Sequence, residues 1–297
     1  MADHPPSNRR CNKVTKSMGD RSAPKRKSDA VFFAVTGGLS SCYVLLVLLL
    51  LIADVRFVSP SAFLEAVAKP EIRSSIELTL LTCTTAAILS LWVATPLGYL
   101  LSRFEFRGRW IIEALVDIPM VLPPLVLGLS LLILFHQPLS LFGAGSSSLE
   151  EWIRQTVGIG VTHHWPAIVL AQFTVASAFA VRTMRVAFDQ IDPRGEDIAR
   201  TLGCTRGQAF LRIAMPQASR GLVAATAIAW ARSLGEFGPI LVFAGATRMR
   251  TEVLSTSVFL ELSVGQLDAA VAVSLLMVAM ATAVLLVLRL AGTKLSR

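Results

Sequence analysis

Charge is scarce in this chain. Only 16% of its 297 residues are Asp, Glu, Lys or Arg, against roughly 25% in an average soluble domain. Cysteine is scarcer still: Cys11, Cys42, Cys83 and Cys204 are scattered, with no CxxC or metal-ligand spacing. That excludes a disulfide framework and a cysteine-built metal centre, and leaves them as ordinary small residues. No GxxxxGK[ST] phosphate loop occurs, which excludes nucleotide hydrolysis by that route. A GxSxG elbow and an HExxH pair are also missing, and nothing is spaced as a Ser/His/Asp or paired-carboxylate site. No catalytic residue, metal or cofactor is expected.

What the chain has instead is apolar mass: 54% of residues are hydrophobic and the mean hydropathy is +0.62. These residues are bunched into six segments near 31–53, 76–101, 111–135, 165–188, 221–246 and 267–291. Each approaches the roughly 20 residues that cross a bilayer as a helix. The reading is an all-α polytopic membrane protein of about six transmembrane helices with a polar insert on one side. Residues 1–30 are polar, rich in Pro and Ser and strongly basic, the pattern of a disordered tail drawn to anionic lipid headgroups rather than to nucleic acid. The first apolar segment is longer than a signal-peptide core and reads as an uncleaved span.

Counted alternately, the loops place 21 Arg and Lys on one side, among them Arg103, Arg107, Arg109, Arg194 and Arg212. The other side holds six: Arg56, Lys69, Arg73, Arg154, Arg248 and Arg250. Positive charge stays inside, so both termini are expected in the cytoplasm, with the chain in the plasma (inner) membrane. The glycine-rich loop 136–163 then lies outside, and His163 and His164 read as surface residues.

Two spans are interrupted. "DIPMVLPPLVLGLSLL" carries Pro119, Pro123, Pro124 and Gly128, so the third span is expected to bend or break. Broken backbone at membrane depth is tolerated where it is buried in protein or lines an aqueous cavity. The fifth span, "AATAIAWARSLGEFGPILVFAG", places Arg232 and Glu236 four apart in an apolar run, either a stapling ion pair or a functional one. Gly235, Gly238 and Pro239 interrupt it. Candidate route or gate residues are Pro123, Pro124, Gly128, Ser233, Gly235, Glu236, Phe237 and Gly238; Ser130, Thr174 and Ser177 are further hydroxyls for an anion.

Between the fourth and fifth spans lies "GEDIARTLGCTRGQAFLRIAMP", too charged to cross a bilayer. Asp192 and Pro193 suit a helix start, and Gly203 suits a tight turn. Over 194–203 a helix puts Ile198, Thr201 and Leu202 on one side with Glu196, Asp197 and Arg200 partly exposed. Residues 206–214 run back to the membrane, and Pro216 is expected to end that element. Such a cytoplasmic helix-turn-helix is shaped for a groove in a soluble partner.

The insert resembles the EAA-x3-G-x9-I-x-LP signature of permease subunits in binding-protein-dependent ABC importers. Asp197, Ile198 and Ala199 stand at the EAA places, Gly203 at the glycine, and Ile213, Met215 and Pro216 complete it. The resemblance runs from about residue 75 to 291. It implies an importer transmembrane domain over 31–297, with a coupling insert at 190–216 seated on the ATPase subunit. The implied ATPase contacts are Arg194, Gly195, Glu196, Asp197, Ile198, Ala199, Arg200, Thr201, Leu202 and Gly203, with Ile213, Met215 and Pro216. The interrupted spans resemble the molybdate, sulfate and tungstate branch. Implied partners are ABC ATPase subunits, an extracytoplasmic oxyanion-binding protein, a second permease copy and the bilayer. Molybdate is the expected cargo. Sulfate, tungstate or another small solute with the same architecture, a non-transporting scaffold or sensor, and an intramembrane enzyme stay open as other readings.

Overall fold

The computed structural model describes residues 25–138 and 148–295, whose regular structure is helical apart from one isolated Pro138–Ser148 bridge. The chain divides into two compact units, Met1–Arg56 and Phe57–Arg297. In the first, helix α1 (Lys25–Phe57) begins inside the basic tail, so residues 25–30 are helical rather than disordered. The remainder of the expected tail, 1–24, lies outside the described residues. In the second unit, α2 (Pro60–Ala68) leads into α3 (Pro70–Arg103), the longest element. α4 (Arg109–Val121) and α5 (Pro124–His136) follow, then α6 (Leu149–Val157) and α7 (Trp165–Asp189).

α3 and α7 form the centre of the unit. Their contact is lined by Cys83, Ala87, Ala94, Ala176, Ala180 and Met184, all buried. Small residues suit a bundle in lipid, where packing distance rather than water exclusion rewards association. Gly98 permits a close approach, since a Cβ there would stand 2.9 Å from both the Arg185 amide nitrogen and Met184 Cβ.

After α7 come α8 (Arg194–Thr201), α9 (Arg206–Ala209), a π turn (Phe210–Ala214), α10 (Met215–Gln217) and α11 (Ser219–Gly235). α12 (Gly238–Phe243), α13 (Leu254–Ser263) and α14 (Leu267–Leu295) complete the chain.

The expected count of six spans meets a more broken architecture. Among the described residues, α1, α3, α7 and α14 are long and apolar enough to cross a membrane, and a fifth arises if α4 and α5 count as one span bent by 114°. The bend has a cause in the sequence: Leu122 (ψ 136°) and Pro123 (ψ 135°) are both extended, each standing before a proline, which disfavours the helical region, whereas the single Pro119 is accommodated inside α4. The fifth expected span, 221–246, is two short helices separated at Glu236 and Phe237. α11, with 17 residues, is about 25 Å long, short of the ~30 Å hydrocarbon core.

The loop at 136–163, expected outside, contains a helix and side-chain caps. α6 is capped by Ser148, and the Glu150 carboxylate accepts from the amides of Val161 and Thr162 (2.9 and 3.1 Å) and the Thr162 hydroxyl (2.9 Å). Residues 139–147 of that loop lie outside the described residues.

Candidate functional site

The charged insert folds from local rules. Pro193, not Asp192, occupies the N-cap of α8 and brings no side-chain cap; the Asp192 carboxylate, one residue earlier, accepts from the Arg194 amide at 3.0 Å in an Asx-type turn. At the other end Gly203 has φ +96°, with Gly203 N–H bonded to Arg200 O (3.1 Å) and Cys204 N–H to Ala199 O (3.0 Å). This is a Schellman closure, which a Cβ at that φ would strain. Thr205 and Gln208 then exchange hydrogen bonds (3.3 and 2.9 Å) in a capping box opening α9. The TxxQ spacing carries that signal in the sequence.

Two expectations are corrected here. Pro216 does not end its element: it sits in the first turn of α10, directly after the π turn. Its missing N–H is harmless at that position, and the widened π turn, where Met215 N–H bonds to Phe210 O, absorbs its steric demand. The faces of α8 are also not as expected. Glu196 is not partly exposed but buried, at 6% exposure, whereas Ile198 and Leu202 stand 61% and 80% exposed. The cause is what lies beneath. Tyr99 donates to Glu196 Oε2 at 2.5 Å and Arg103 Nε to Oε1 at 3.0 Å. A carboxylate with two such donors is satisfied when buried, and the apolar side chains are left facing outward.

The other signature residues fall around this pair. Ala199 is buried, while Arg194, Asp197, Arg200 and Thr201 are exposed, with Arg200 and Asp197 3.7 Å apart. Gly195 packs on Ile213, whose Cγ2 would be 3.4 Å from an added Cβ, so Ile213 buttresses α8 from behind. Met215 is half-buried and Pro216 exposed.

The interrupted spans meet each other. A Cβ on Gly128 of α5 would lie 2.9 Å from Pro239 Cα and 3.0 Å from Val242 Cβ; one on Gly238 of α12 would lie 2.9 Å from Pro124 Cβ and 3.2 Å from Leu125 N. Two glycines thus press α5 and α12 into backbone contact. Pro123 and Pro124 are exposed at the bend. At the second break, Glu236 is buried and paired with Arg232 (Nη2–Oε1 2.6 Å). The Arg232 guanidinium lies 4.7 Å from the Phe179 ring centre. The break is tied to α13 by Ser255, which donates to Glu236 O at 2.8 Å, and by Phe237 stacking on Phe259 at 5.2 Å.

Arg232 stands with Ala224, Ile228 and Gly235 on the open stripe of α11, its side chain 43% exposed. An unpaired guanidinium facing hydrocarbon would cost several kcal/mol; Glu236 supplies its counter-charge. Ser233 points the other way: it is fully buried and donates to Ala229 O at 2.9 Å. The other hydroxyls also give their protons to their own helices, Ser130 to Val126 O, Thr174 to Leu170 O and Ser177 to Thr174 O. Thr174 and Ser177 line a cavity of about 280 Å³ with Leu97, Val116 and Pro119.

Tyr99 and Arg103 engage Glu196 of the insert, a contact the sequence did not reveal because the partner lies 97 and 93 residues away. Glu113 and Asp117 were likewise missed; they bind Arg185 (3.1 Å) and Arg182 (2.9 Å) and hold α4 to α7. Their four-residue spacing in an apolar helix was the available signal.

Comparison with known proteins places this geometry. The family described as "Binding-protein-dependent transport system inner membrane component" matches residues 94–296. The chain is 32% identical over 246 residues to the sulfate transport system permease protein CysT of Escherichia coli, covering 82% of this chain and 86% of that protein. It is 32% identical over 226 residues to the molybdenum transport system permease protein ModB of Mycobacterium tuberculosis (75% and 81%). It is 28% identical over 212 residues to the molybdate/tungstate permease WtpB of Pyrococcus abyssi (71% and 76%). The fold matches a chain of the bacterial alginate ABC transporter crystallised with its pentasaccharide-bound periplasmic protein, at TM-score 0.67 and 18% identity over 91% of this chain and 95% of that one. An insert closed by Gly203 between helices, on a bundle with two broken spans, is therefore the architecture of a known class: this chain belongs to the inner-membrane, multi-pass permease components of binding-protein-dependent ABC importers, in the branch whose named members are sulfate and molybdate permeases, with the ATPase in a separate subunit.

Proposed function

We propose that the chain translocates a tetrahedral oxyanion dianion into the cytoplasm, with molybdate as the cargo. The observation that carries this reading is Arg232, a half-exposed cation beside a helix break, with its charge balanced by buried Glu236. A divalent anion needs a polar path, yet a bare fixed cation would hold it; a neutralised guanidinium gives weak, reversible stabilisation. In this reading the α11 stripe bearing Arg232 and Gly235 faces the route, and a second copy of the chain, or a related subunit, closes it from the other side. Both termini lie in the cytoplasm. The ATPase seats against Ile198 and Leu202, whose exposure on a cytoplasmic module otherwise has no partner. Closure of the ATPase dimer draws the two inserts together, and Pro123, Pro124, Gly128, Gly235, Phe237 and Gly238 are where the spans yield. An oxyanion-binding protein delivers cargo from outside.

Sulfate is the second reading, favoured by the similarity to CysT over 82% of this chain; tungstate follows from the WtpB likeness. The test is a strain lacking this gene, grown in trace molybdate with excess sulfate, with cellular molybdenum read by mass spectrometry and labelled sulfate uptake in parallel. Loss of molybdenum, restored by the intact gene but not by Gly203→Asp, supports molybdate and the coupling role together. Unchanged molybdenum with lost sulfate uptake transfers the assignment to sulfate.

A further inference from the structure

The buried face of α8 points to a device that the outer, ATPase-facing side does not account for. Glu196 lies in the first turn of α8, and both carboxylate oxygens are engaged by the last turn of α3: Oε2 by the Tyr99 hydroxyl at 2.5 Å and Oε1 by Arg103 Nε at 3.0 Å. The side chains of Arg103 and Glu196 are only 11% and 8% exposed. The guanidinium uses a second edge as well, with Arg103 Nη2 donating to Ile191 O at 2.9 Å, in the segment that leaves α7 and enters α8. Around this pair the Tyr99 ring packs edge-on against Phe188 of α7 (5.4 Å) and at a tilt against Phe210 of the π turn (4.6 Å). One carboxylate is therefore where the ends of α3, α7 and the insert converge.

Covalent connection ties α8 to α7 before it and, through Gly203, to α9 and α11 after it. It does not tie α8 to α3, which precedes it by some ninety residues. Any displacement of α8 reaches α7 and α11 along the chain; it reaches the end of α3 indirectly, through the packing of α3 on α7, and directly across the Glu196 contacts and the ring cluster. A buried, doubly donated ion pair resists separation far better than an exposed one, since parting it strands two charges.

We infer that Glu196, Tyr99 and Arg103 form a latch that couples movement of the insert to α3, and that Glu196 is a positioning residue facing the chain's own span rather than the ATPase. The inference rests on the reading of α8 as the ATPase-docking helix. Without the latch the insert follows the ATPase while α3 lags, so hydrolysis continues with less anion moved per ATP.

The experiment uses the complete transporter, with permease, ATPase subunit and binding protein reconstituted in liposomes, and reads ATP hydrolysed per molybdate or sulfate ion imported. Tyr99→Phe removes one hydrogen bond and keeps the ring cluster; Glu196→Gln removes the charge; Arg103→Lys keeps charge but loses the second edge to Ile191. With charged hydrogen bonds worth more than neutral ones, the ATP-to-anion ratio should rise about threefold in Tyr99→Phe and about tenfold in Glu196→Gln, with Arg103→Lys between them. ATPase co-purification should stay at the wild-type level, because none of the three side chains faces the docking surface. A residue of merely structural importance would lower hydrolysis and import together and leave the ratio flat. If Glu196→Gln does not assemble, Tyr99→Phe decides alone. An unchanged ratio in Tyr99→Phe, or loss of ATPase binding in Glu196→Gln with a normal ratio in Tyr99→Phe, overturns the latch. Wild-type liposomes that hydrolyse ATP but import neither ion would instead defeat the cargo reading.

Discussion

The Arg232–Glu236 pair is unequal, and its two halves should fail unequally. The contact is short, 2.6 Å, but the Glu236 side chain is 4% exposed whereas that of Arg232 is 43% exposed and also rests on the Phe179 ring. Replacing Arg232 with Met strands a buried carboxylate, and removing one partner of a buried pair costs about 3–5 kcal/mol. Replacing Glu236 with Met leaves a half-exposed guanidinium that keeps its ring contact; where that open side is reached by water, as in the route reading, solvent screening limits the cost to about 1–2 kcal/mol. The double replacement removes both charges from the bundle and should recover most of the loss. On the scale of roughly 2–4 °C per kcal/mol for a domain of this size, Arg232→Met should lower the melting temperature by about 10 °C and Glu236→Met by less than about 5 °C. The assay is thermal unfolding of the purified permease in detergent, for both single variants and the double. A Glu236 variant as damaged as the Arg232 variant, or a double no better than the worse single, would refute the argument from burial.

Three further outcomes follow from the same geometry. Ile198→Ser and Leu202→Ser, at exposed positions, should shift permease stability by no more than about 0.5 kcal/mol, yet abolish ATPase co-purification; retained co-purification would remove these residues from the docking surface. Gly128→Val should cost at least about 1–3 kcal/mol by overpacking against Pro239. Gly235→Ala, with nothing within 4 Å of its Cβ, should leave the melting temperature unchanged or raised; equal melts for the two variants would contradict the α5–α12 contact. Glu252, in the segment between α12 and α13, is buried, and the nearby Ser257 hydroxyl is directed to Ser75 and Val253 O rather than bonded to its carboxylate; burial, outweighing the opposing influence of Ser257 and Arg248, pushes its carboxyl above the usual carboxylate range. A raised folded pKa means its contribution is complete below about pH 4.3, the unfolded value, and is lost as pH rises through the folded one. Glu252→Gln should flatten the decline of melting temperature with rising pH, and superimposable profiles would count against it.

Much of this protein was legible in one dimension, because the signals concerned are local. Hydropathy marks where helices can lie in a membrane. Two adjacent prolines bias both Leu122 and Pro123 toward the extended geometry they adopt, and the turn after α8 needs a residue tolerant of φ +96°, which Gly203 supplies. The insert was recognisable from spacing for the same reason: its caps and turn bond within five residues. Other features were decided by what the fold brings from elsewhere. Periodicity on α8 could not reveal that Glu196 turns inward, since the donors that satisfy it, Tyr99 and Arg103, arrive from α3. Nor could it show that Gly128 and Gly238 serve each other, that Ser233 faces the core while Arg232 faces out, or that a π turn lets the helical path run on past Pro216. Local sequence sets which backbone shapes are available; whether a polar side chain is buried or open depends on the partner across the interface, and that is a property of the tertiary structure alone.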